Sequence, residues 1–114
     1  MRNHLTSLLE HIHKKMTNLF QFEESLIANI GHPDFRVRLA LLRHPYCSQK
    51  YLHNFLDDPN WQVLSALAER RDLPEELYRY LYKHKKGKHY FLDFVLEQHE
   101  LKKIIGIDSE SENP

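Results

Sequence analysis

Two consecutive segments of this sequence, 32–57 and 58–83, align with each other at a fixed offset of 26 residues. A period of this length is typical of repeat architectures, in which each unit buries its apolar face against its neighbour. Only four positions are identical, but ten aligned positions are apolar in both copies. The aligned pairs are Pro33 with Pro59, Phe35 with Trp61, Val37 with Val63, Ala40 with Ala66, Leu41 with Leu67, Leu42 with Ala68, Tyr51 with Leu77, Leu52 with Tyr78, Phe55 with Leu81, and Leu56 with Tyr82. The pattern predicts two copies of one helix-turn-helix unit and therefore an all-α chain.

The start of each unit carries a proline, Pro33 in the first copy and Pro59 in the second. Proline suits the first turn of a helix, where its missing N–H would be unpaired anyway. We therefore expect each first helix to open at its proline. Asp58 directly precedes Pro59 and is expected to cap the second copy with its side-chain oxygen.

Helical patterns also flank the repeats. Apolar residues at helical spacing predict a helix over 4–18 and a second, shorter one that begins at Phe22 and stops at Gly31, so that 4–30 forms the N-terminal flank. A final helix is predicted over 89–105. We expect it to cap the open end of the repeats.

The length of 114 residues favours one domain, which we assign to 1–106. Residues 107–114 are acidic and poor in apolar side chains, so we expect a disordered tail. The net charge is zero, but residues 1–88 hold 14 Lys and Arg against 10 acids, and 89–114 hold 2 against 6. The two parts thus carry +4 and −4, an asymmetry too mild to indicate a nucleic-acid partner.

The repeats resemble a known family in their packing residues. The run PDFRVRLALLRHP from Pro33 to Pro45, and the matching residues from Asp58 to Pro74, are similar to leucine-rich repeat variant units, which are relatives of HEAT repeats. The resemblance covers about residues 32–84. It implies a short α-solenoid, a right-handed helical stack that binds macromolecules.

The second copy departs from the family pattern at two positions, with Leu64 opposite Arg38 and Arg71 opposite Pro45. Some members of the family carry an iron–sulfur segment built from cysteines. Cys47 is the only cysteine here, so that function is not carried over, and we expect no cofactor.

A single cysteine also excludes an intramolecular disulfide and fits a reducing cytoplasm. Cys47 aligns with Leu73, so we expect a small buried side chain rather than a nucleophile. The nine histidines suggest a metal site, but His11 and His13 lie about 200° apart on a helix and cannot share an ion. We expect no metal site.

Enzymatic activity is the least favoured interpretation, because no catalytic motif is present. It would require a pocket that gathers His44, Cys47 or His53 with a carboxylate.

Comparison of the copies identifies apolar side chains at positions that the repeat does not require. Tyr80 aligns with Asn54, Leu39 aligns with Ser65, and Leu64 replaces Arg38. If they are exposed, Leu39, Leu64 and Tyr80 would suit a protein interface. The alternative is that they pack against the terminal helices.

A second class of function rests on basic side chains. The candidate arginines for a nucleic-acid-binding ridge are Arg36, Arg38, Arg43, Arg70, Arg71 and Arg79. The alternative for Arg38, which we favour, is a hydrogen bond or ion pair between repeats with an acid such as Asp34 or Asp58, as in related repeats.

Our leading hypothesis is a small cytoplasmic helical-repeat scaffold that binds a protein partner without catalytic activity. Two repeats are fewer than the roughly three that usually make a continuous core. The terminal helices or a second chain must supply the missing contacts, so a homodimer formed through an end of the stack is a reasonable prediction. No run approaches the roughly 18 apolar residues of a membrane span, so we expect no membrane partner.

Overall fold

The computed structural model describes residues 4–104 and 106. Within this part of the chain all regular structure is helical, as the sequence predicts. The elements are α1 (His4–Asn29), α2 (Phe35–Leu42), the 3₁₀ helix η1 (Gln49–Phe55), α3 (Trp61–Ala68), α4 (Glu75–His84), α5 (Tyr90–Gln98) and α6 (Glu100–Ile104). The acidic tail over 107–114 and residue 105, the predicted end of the last helix, lie outside the described residues.

Helix α1 is one continuous helix over His4–Asn29, so the prediction of two helices over 4–18 and 22–30 was wrong. No glycine or proline interrupts the chain between these segments, and backbone hydrogen bonding therefore continues through them. The helix ends just before Gly31, where the sequence predicts a stop.

The first helices of the two repeats begin with equivalent side-chain caps. Asp34 Oδ1 accepts the Arg36 N–H at 2.9 Å, and Asn60 Oδ1 accepts the Gln62 N–H at 2.7 Å. These aspartate and asparagine residues align at the repeat offset. Each helix starts two residues after its proline, because the capping residue stands between the two, so the predicted proline-first helix and the Asp58 cap were wrong.

The second helices differ in type but bury equivalent positions. The first repeat has the 3₁₀ helix η1, whereas the second has the α-helix α4. Leu52 aligns with Tyr78, and Phe55 aligns with Leu81. All four side chains are fully buried. The repeat pattern therefore holds for the core even where the backbone differs.

Helix α3 lies at the centre of the fold and packs between α2 and α5. Every residue from Val63 to Ala68 is buried. In α2, by contrast, Ala40 is exposed and Leu41 is half-buried, although their partners Ala66 and Leu67 are buried. The two copies therefore occupy different environments, with the second copy inside and the first nearer the edge.

The last predicted helix, 89–105, is broken into α5 and α6 at His99, so that prediction was wrong. His99 has an extended backbone (φ −66°, ψ 140°). Its Nδ1 accepts the Leu101 N–H at 3.1 Å, and its Nε2 lies 3.3 Å from the Arg70 carbonyl oxygen. These contacts stabilise the break because they satisfy the backbone at the start of α6.

A buried ion pair joins the repeats. Arg38 Nε donates to Asp58 Oδ2 at 2.8 Å, and Nη2 donates to Oδ1 at 3.1 Å, while Nη1 bonds the His32 carbonyl oxygen. Asp58 Oδ1 also accepts the Asn60 N–H at 2.9 Å. Because both side chains are almost inaccessible, the pair is screened little and both ions need these partners. The predicted Arg38–Asp58 ion pair is confirmed.

A second guanidinium ties the turns of the two repeats together. Arg70 Nη2 donates to the Cys47 carbonyl oxygen at 2.8 Å, and Nη1 donates to that of Leu42 at 3.2 Å. Asp72 accepts from the same guanidinium through both carboxylate oxygens, at 2.8 Å each, which lowers the Asp72 pKa. Arg70 of the second repeat thus provides hydrogen-bond partners for carbonyl groups at the end of α2 and in the turn that follows it.

Glu97 on α5 joins three side chains at the end of the fold. It forms ion pairs with Lys102 and Lys86 and accepts the Tyr82 hydroxyl at 2.7 Å. The hydrogen bond from Lys102, followed by that from Lys86, lowers the pKa of Glu97 to about 2. The cluster fastens α5 to α4 and α6.

Removal of one partner from the buried ion pair should be far more costly than removal of both. Arg38→Leu leaves the Asp58 carboxylate buried without its counter-ion, and we expect a loss of about 3–5 kcal/mol in the free energy of unfolding. Leucine fits the site sterically, since Leu64 occupies the aligned position. Arg38→Leu with Asp58→Asn should recover most of the loss. Urea titrations of wild type, the single variant and the double variant measure these free energies.

The control is Arg36→Leu, because the Arg36 side chain is 77% exposed and its pairing with Asp34 is solvated. We expect a change within about 0.5 kcal/mol. Equal losses for the single and double variants at Arg38 would contradict the proposed role of the pair.

Acid should weaken the fold through Glu97. Its pKa is about 2 in the folded protein, against an ordinary value of 4.5, so its contribution to stability is complete above pH 5 and is lost as the pH falls toward 2. Glu97→Gln should lower the free energy of unfolding at pH 7 by about 1 kcal/mol, a figure reduced for the partial exposure of the carboxylate. It should also reduce the fall in the free energy of unfolding between pH 5 and pH 2.

The matched control is Glu75→Gln, which breaks the solvent-exposed pair with Arg79 on α4. It should leave the acid limb of the stability profile unchanged. An identical acid limb in wild type and Glu97→Gln would show that the cluster does not contribute.

Candidate functional site

The N-terminal half of α1 presents a stripe of exposed apolar side chains. Their exposed fractions are 63% for Leu5, 45% for Leu8, 58% for Leu9, 52% for Ile12, 52% for Met16 and 58% for Phe20. The spacing of three and four residues places them along one side of the helix. Farther along α1, Phe22 and Leu26 are only 4% and 5% exposed, because they reach the core. We call residues 5–20 the arm of α1.

The arm extends beyond the body of the fold. The described chain measures 71 × 34 × 17 Å, and its radius of gyration is 18.0 Å, compared with about 13 Å for a compact chain of this length. A helix of 26 residues is about 39 Å long, so α1 accounts for the elongation. Short helices without tertiary contacts are marginal in water, and a partner covering the stripe would therefore stabilise the arm.

A groove between α3 and α5 forms a second apolar surface. It encloses about 350 Å³ and is lined by the apolar side chains of Phe91, Phe94 and Val95. Phe94 is 61% exposed. Glu69 and Glu100 also line the groove, with Arg71 as the one basic residue of the lining. We call this the α5 groove.

The side chains predicted to bind protein lie elsewhere. Leu64 is 3% exposed, so the expectation that it is exposed was wrong. Leu39 is half-buried and packs against the core. Tyr80 is half-buried, and its hydroxyl donates to Asp57 at 2.6 Å. The comparison of copies misplaced Leu64 because α3 has neighbours on both sides, whereas α2 lies at the edge.

The six candidate arginines do not share one environment. Arg38 is buried against Asp58, and Arg70 is bonded to Asp72 and to backbone carbonyls. The others are Arg36, paired with Asp34, Arg79, paired with Glu75, and Arg43 and Arg71, which are exposed. Four of the six positive charges are therefore matched by a neighbouring carboxylate.

Cys47 is 2% exposed, as its alignment with Leu73 predicts. Burial raises the pKa of its thiol, so the reactive thiolate is disfavoured. His53, another candidate for catalysis, is exposed. It lines a pocket together with Pro33 and Asp57, and Cys47 is not part of that lining. Within residues 4–104 and 106, no group of three or more His, Cys, Asp or Glu side chains is placed to hold a metal ion.

Four histidines accept a backbone hydrogen bond on the imidazole ring, a role that no motif in the sequence indicates. Each accepts, on Nδ1, the backbone N–H two residues farther along, as an Asx turn does. The acceptors are His32 for Asp34 at 3.0 Å, His44 for Tyr46 at 3.0 Å, His89 for Phe91 at 3.1 Å and His99 for Leu101 at 3.1 Å. His89 thereby caps the start of α5 and also stacks on Trp61, with ring centroids 3.7 Å apart.

No family model matches the sequence, and neither a curated protein nor a solved structure shows significant similarity to it. The resemblance to leucine-rich repeat variants therefore stays a prediction. Among the described helices, none has both the length and the apolar character that a bilayer span requires.

Replacement of the His89 cap should destabilise α5. His89→Ala removes both the N–H acceptor and the stack on Trp61, and we expect a loss of about 1–2 kcal/mol. His89→Asn restores an acceptor at the same position and should recover about half of the loss. Thermal unfolding followed by circular dichroism measures both.

The control is the exposed His53→Ala, for which we expect a change within about 0.5 kcal/mol. If alanine and asparagine at position 89 were equally destabilising, the cap would have no role and only the aromatic stack would matter.

Proposed function

We propose that this chain is a short α-solenoid whose function is to bind protein, and that the exposed stripe of α1 is its main contact surface. The solenoid is supported by the matched caps at Asp34 and Asn60 and by the matched core positions of the two repeats. A cytoplasmic location belongs to the same proposal, because Cys47 is a free thiol.

The stripe is the observation that carries the proposal. Six large apolar side chains, each about half exposed, present about 500 Å² of contiguous apolar surface, which is near the upper end for a monomeric protein. Apart from Ile27 and Ala28, the remaining exposed surface of α1 carries polar and charged residues, so the stripe is not part of a helix that is apolar all round. Such a one-sided helix suits a groove on a protein partner, which its anchors at i, i+3 and i+7 would enter.

Nucleic-acid binding is less well supported. A phosphate-binding ridge requires unmatched positive charge, and carboxylates already neutralise four of the six candidate arginines. It is therefore treated as an outcome of the experiment below and not as a second proposal.

The test compares what immobilised protein captures from lysate of the source cell. Leu9→Gln with Ile12→Gln removes two anchors of the stripe while keeping residues that favour a helix. We expect this variant to lose at least about ten-fold of the specifically captured protein, since two lost apolar anchors amount to about 1.5–3 kcal/mol.

Ser7→Ala with Gln21→Ala is the matched control, because both residues are exposed and lie away from the stripe. It should capture protein as wild type does. Circular dichroism verifies that α1 remains helical in both variants. Equal capture by the stripe variant, or capture that nuclease abolishes, would contradict the proposal.

A further inference from the structure

The two unpartnered apolar surfaces lie at the two ends of a series of packed helices. α1 packs against α2, α2 against α3, and α3 against α5. The arm therefore projects from the side of the first repeat, and the α5 groove lies beyond the second. In a helical-repeat protein both terminal units lack a stacking neighbour, so each end retains apolar surface unless something covers it.

The two surfaces carry opposite charge. The arm, residues 5–20, contains Lys14 and Lys15 against Glu10, a net charge of +1. At the α5 groove itself, Glu69 and Glu100 outnumber Arg71. A basic apolar helix and an acidic apolar groove are thus present on one chain.

We propose that the α5 groove binds the arm of α1 from a second copy of this chain. The inference rests on the proposed protein-binding function and names the partner. Leu9, Ile12 and Met16 follow the i, i+3, i+7 pattern by which a helix docks into an apolar groove. The groove volume of about 350 Å³ is within the range of protein pockets that enclose a small apolar ligand.

Pairing of two arms with each other is disfavoured by charge. Lys15 flanks the stripe in the middle of the arm, so two paired arms would bring like charges together, whereas the groove offers carboxylates. Anionic membranes would also attract a basic apolar helix. The groove is favoured because it combines apolar side chains and acidic neighbours on the same protein.

The area of the contact is sufficient for a specific assembly. An arm that docks covers up to about 500 Å² of its own apolar surface. Two reciprocal contacts therefore cover about 1,000 Å² of arm surface, which is the area that a specific interface requires. Each contact joins two different surfaces, an arm and a groove. Two copies that dock into each other form a closed dimer, whereas copies that dock one after another form a chain.

The decisive experiment mixes two variants that each lack one side of the contact. The arm variant is Leu9→Gln with Ile12→Gln, and the groove variant is Phe94→Gln. Analytical ultracentrifugation of wild type should show association, and each variant alone should associate at least about ten-fold more weakly. An equimolar mixture should form a 1:1 heterodimer, because the groove variant supplies an intact arm and the arm variant supplies an intact groove.

Ser7→Ala with Gln21→Ala is the matched control, since both residues are exposed on the face of α1 away from the stripe. It should associate as wild type does. Circular dichroism of every variant separates weaker association from misfolding. Pairing between two arms would leave the groove variant fully associated and would give no heterodimer in the mixture, and this result would overturn the proposal.

Charge exchange gives an independent readout. Lys15→Glu should weaken association, and adding Glu100→Lys to the same chain should restore it, because every arm and every groove then carries the exchanged charge. Failure of the chain with both exchanges to associate would contradict the assigned charge contacts.

Wild type that remains monomeric at about 100 µM would overturn self-docking. Stripe-dependent capture from lysate would then still support the protein-binding function, so the two proposals can fail separately. Monomeric protein that sediments with vesicles of phosphatidylcholine and phosphatidylserine through the arm would instead assign the arm to lipid.

Discussion

The buried Arg38–Asp58 pair is the interaction on which the arrangement of the repeats depends. It joins the first helix of one repeat to the start of the next, and Asp58 simultaneously fixes the backbone ahead of α3. An ion pair in this position adds specificity because only one orientation of the two repeats satisfies both charges. Arg70 acts at the opposite end of the same helices, where its guanidinium donates to the carbonyl oxygens of Leu42 and Cys47. Between them, the two arginines fix how α2 and α3 lie against each other.

This arrangement explains why the ends remain apolar. Residues 63–68 of α3 are buried, and α3 packs against α2 and α5, so the repeats complete a core only around their middle helix. The outer faces have no further unit to pack against. On one side the arm of α1 runs past the core, and on the other α5 retains Phe94 in solvent. The proposed docking of one copy on another joins these two faces.

Part of the fold follows from the sequence, because positions that are apolar in both copies tend to face the core. The burial of Leu42 with Ala68, Leu52 with Tyr78 and Phe55 with Leu81, and that of Cys47, could be predicted from the alignment of the two copies. The ion pair of Arg38 came from the resemblance to related repeats, which left Asp34 and Asp58 open as partners. The environment of Leu64 could not be predicted, since an internal alignment shows equivalence in the repeat but not that one copy lies inside and the other at the edge. The break at His99 was also missed, because a histidine acceptor leaves no recognised capping signal in the sequence.

The candidate site was harder to predict for a physical reason. The apolar spacing of α1 is the same in its exposed arm and around the buried Phe22 and Leu26, so spacing alone does not show where the core ends. The groove had a weak signal: α5 is apolar at six of nine positions, more than the one face occupied by Leu92 and Leu96 requires. Neither feature appears in a comparison restricted to the repeats, which cover neither the arm nor α5.

Hydrogen exchange at increasing protein concentration tests the central claim most directly, namely that the core stops short of the arm and that the arm and the α5 groove cover each other. Peptides from α3 should be the most protected at every concentration, because they are buried within one copy. Peptides from the arm and from Phe91–Val95 should exchange rapidly in dilute solution and gain protection together as concentration rises. Protection of the arm that equals that of α3 in dilute solution, or that does not change with concentration, would contradict the account.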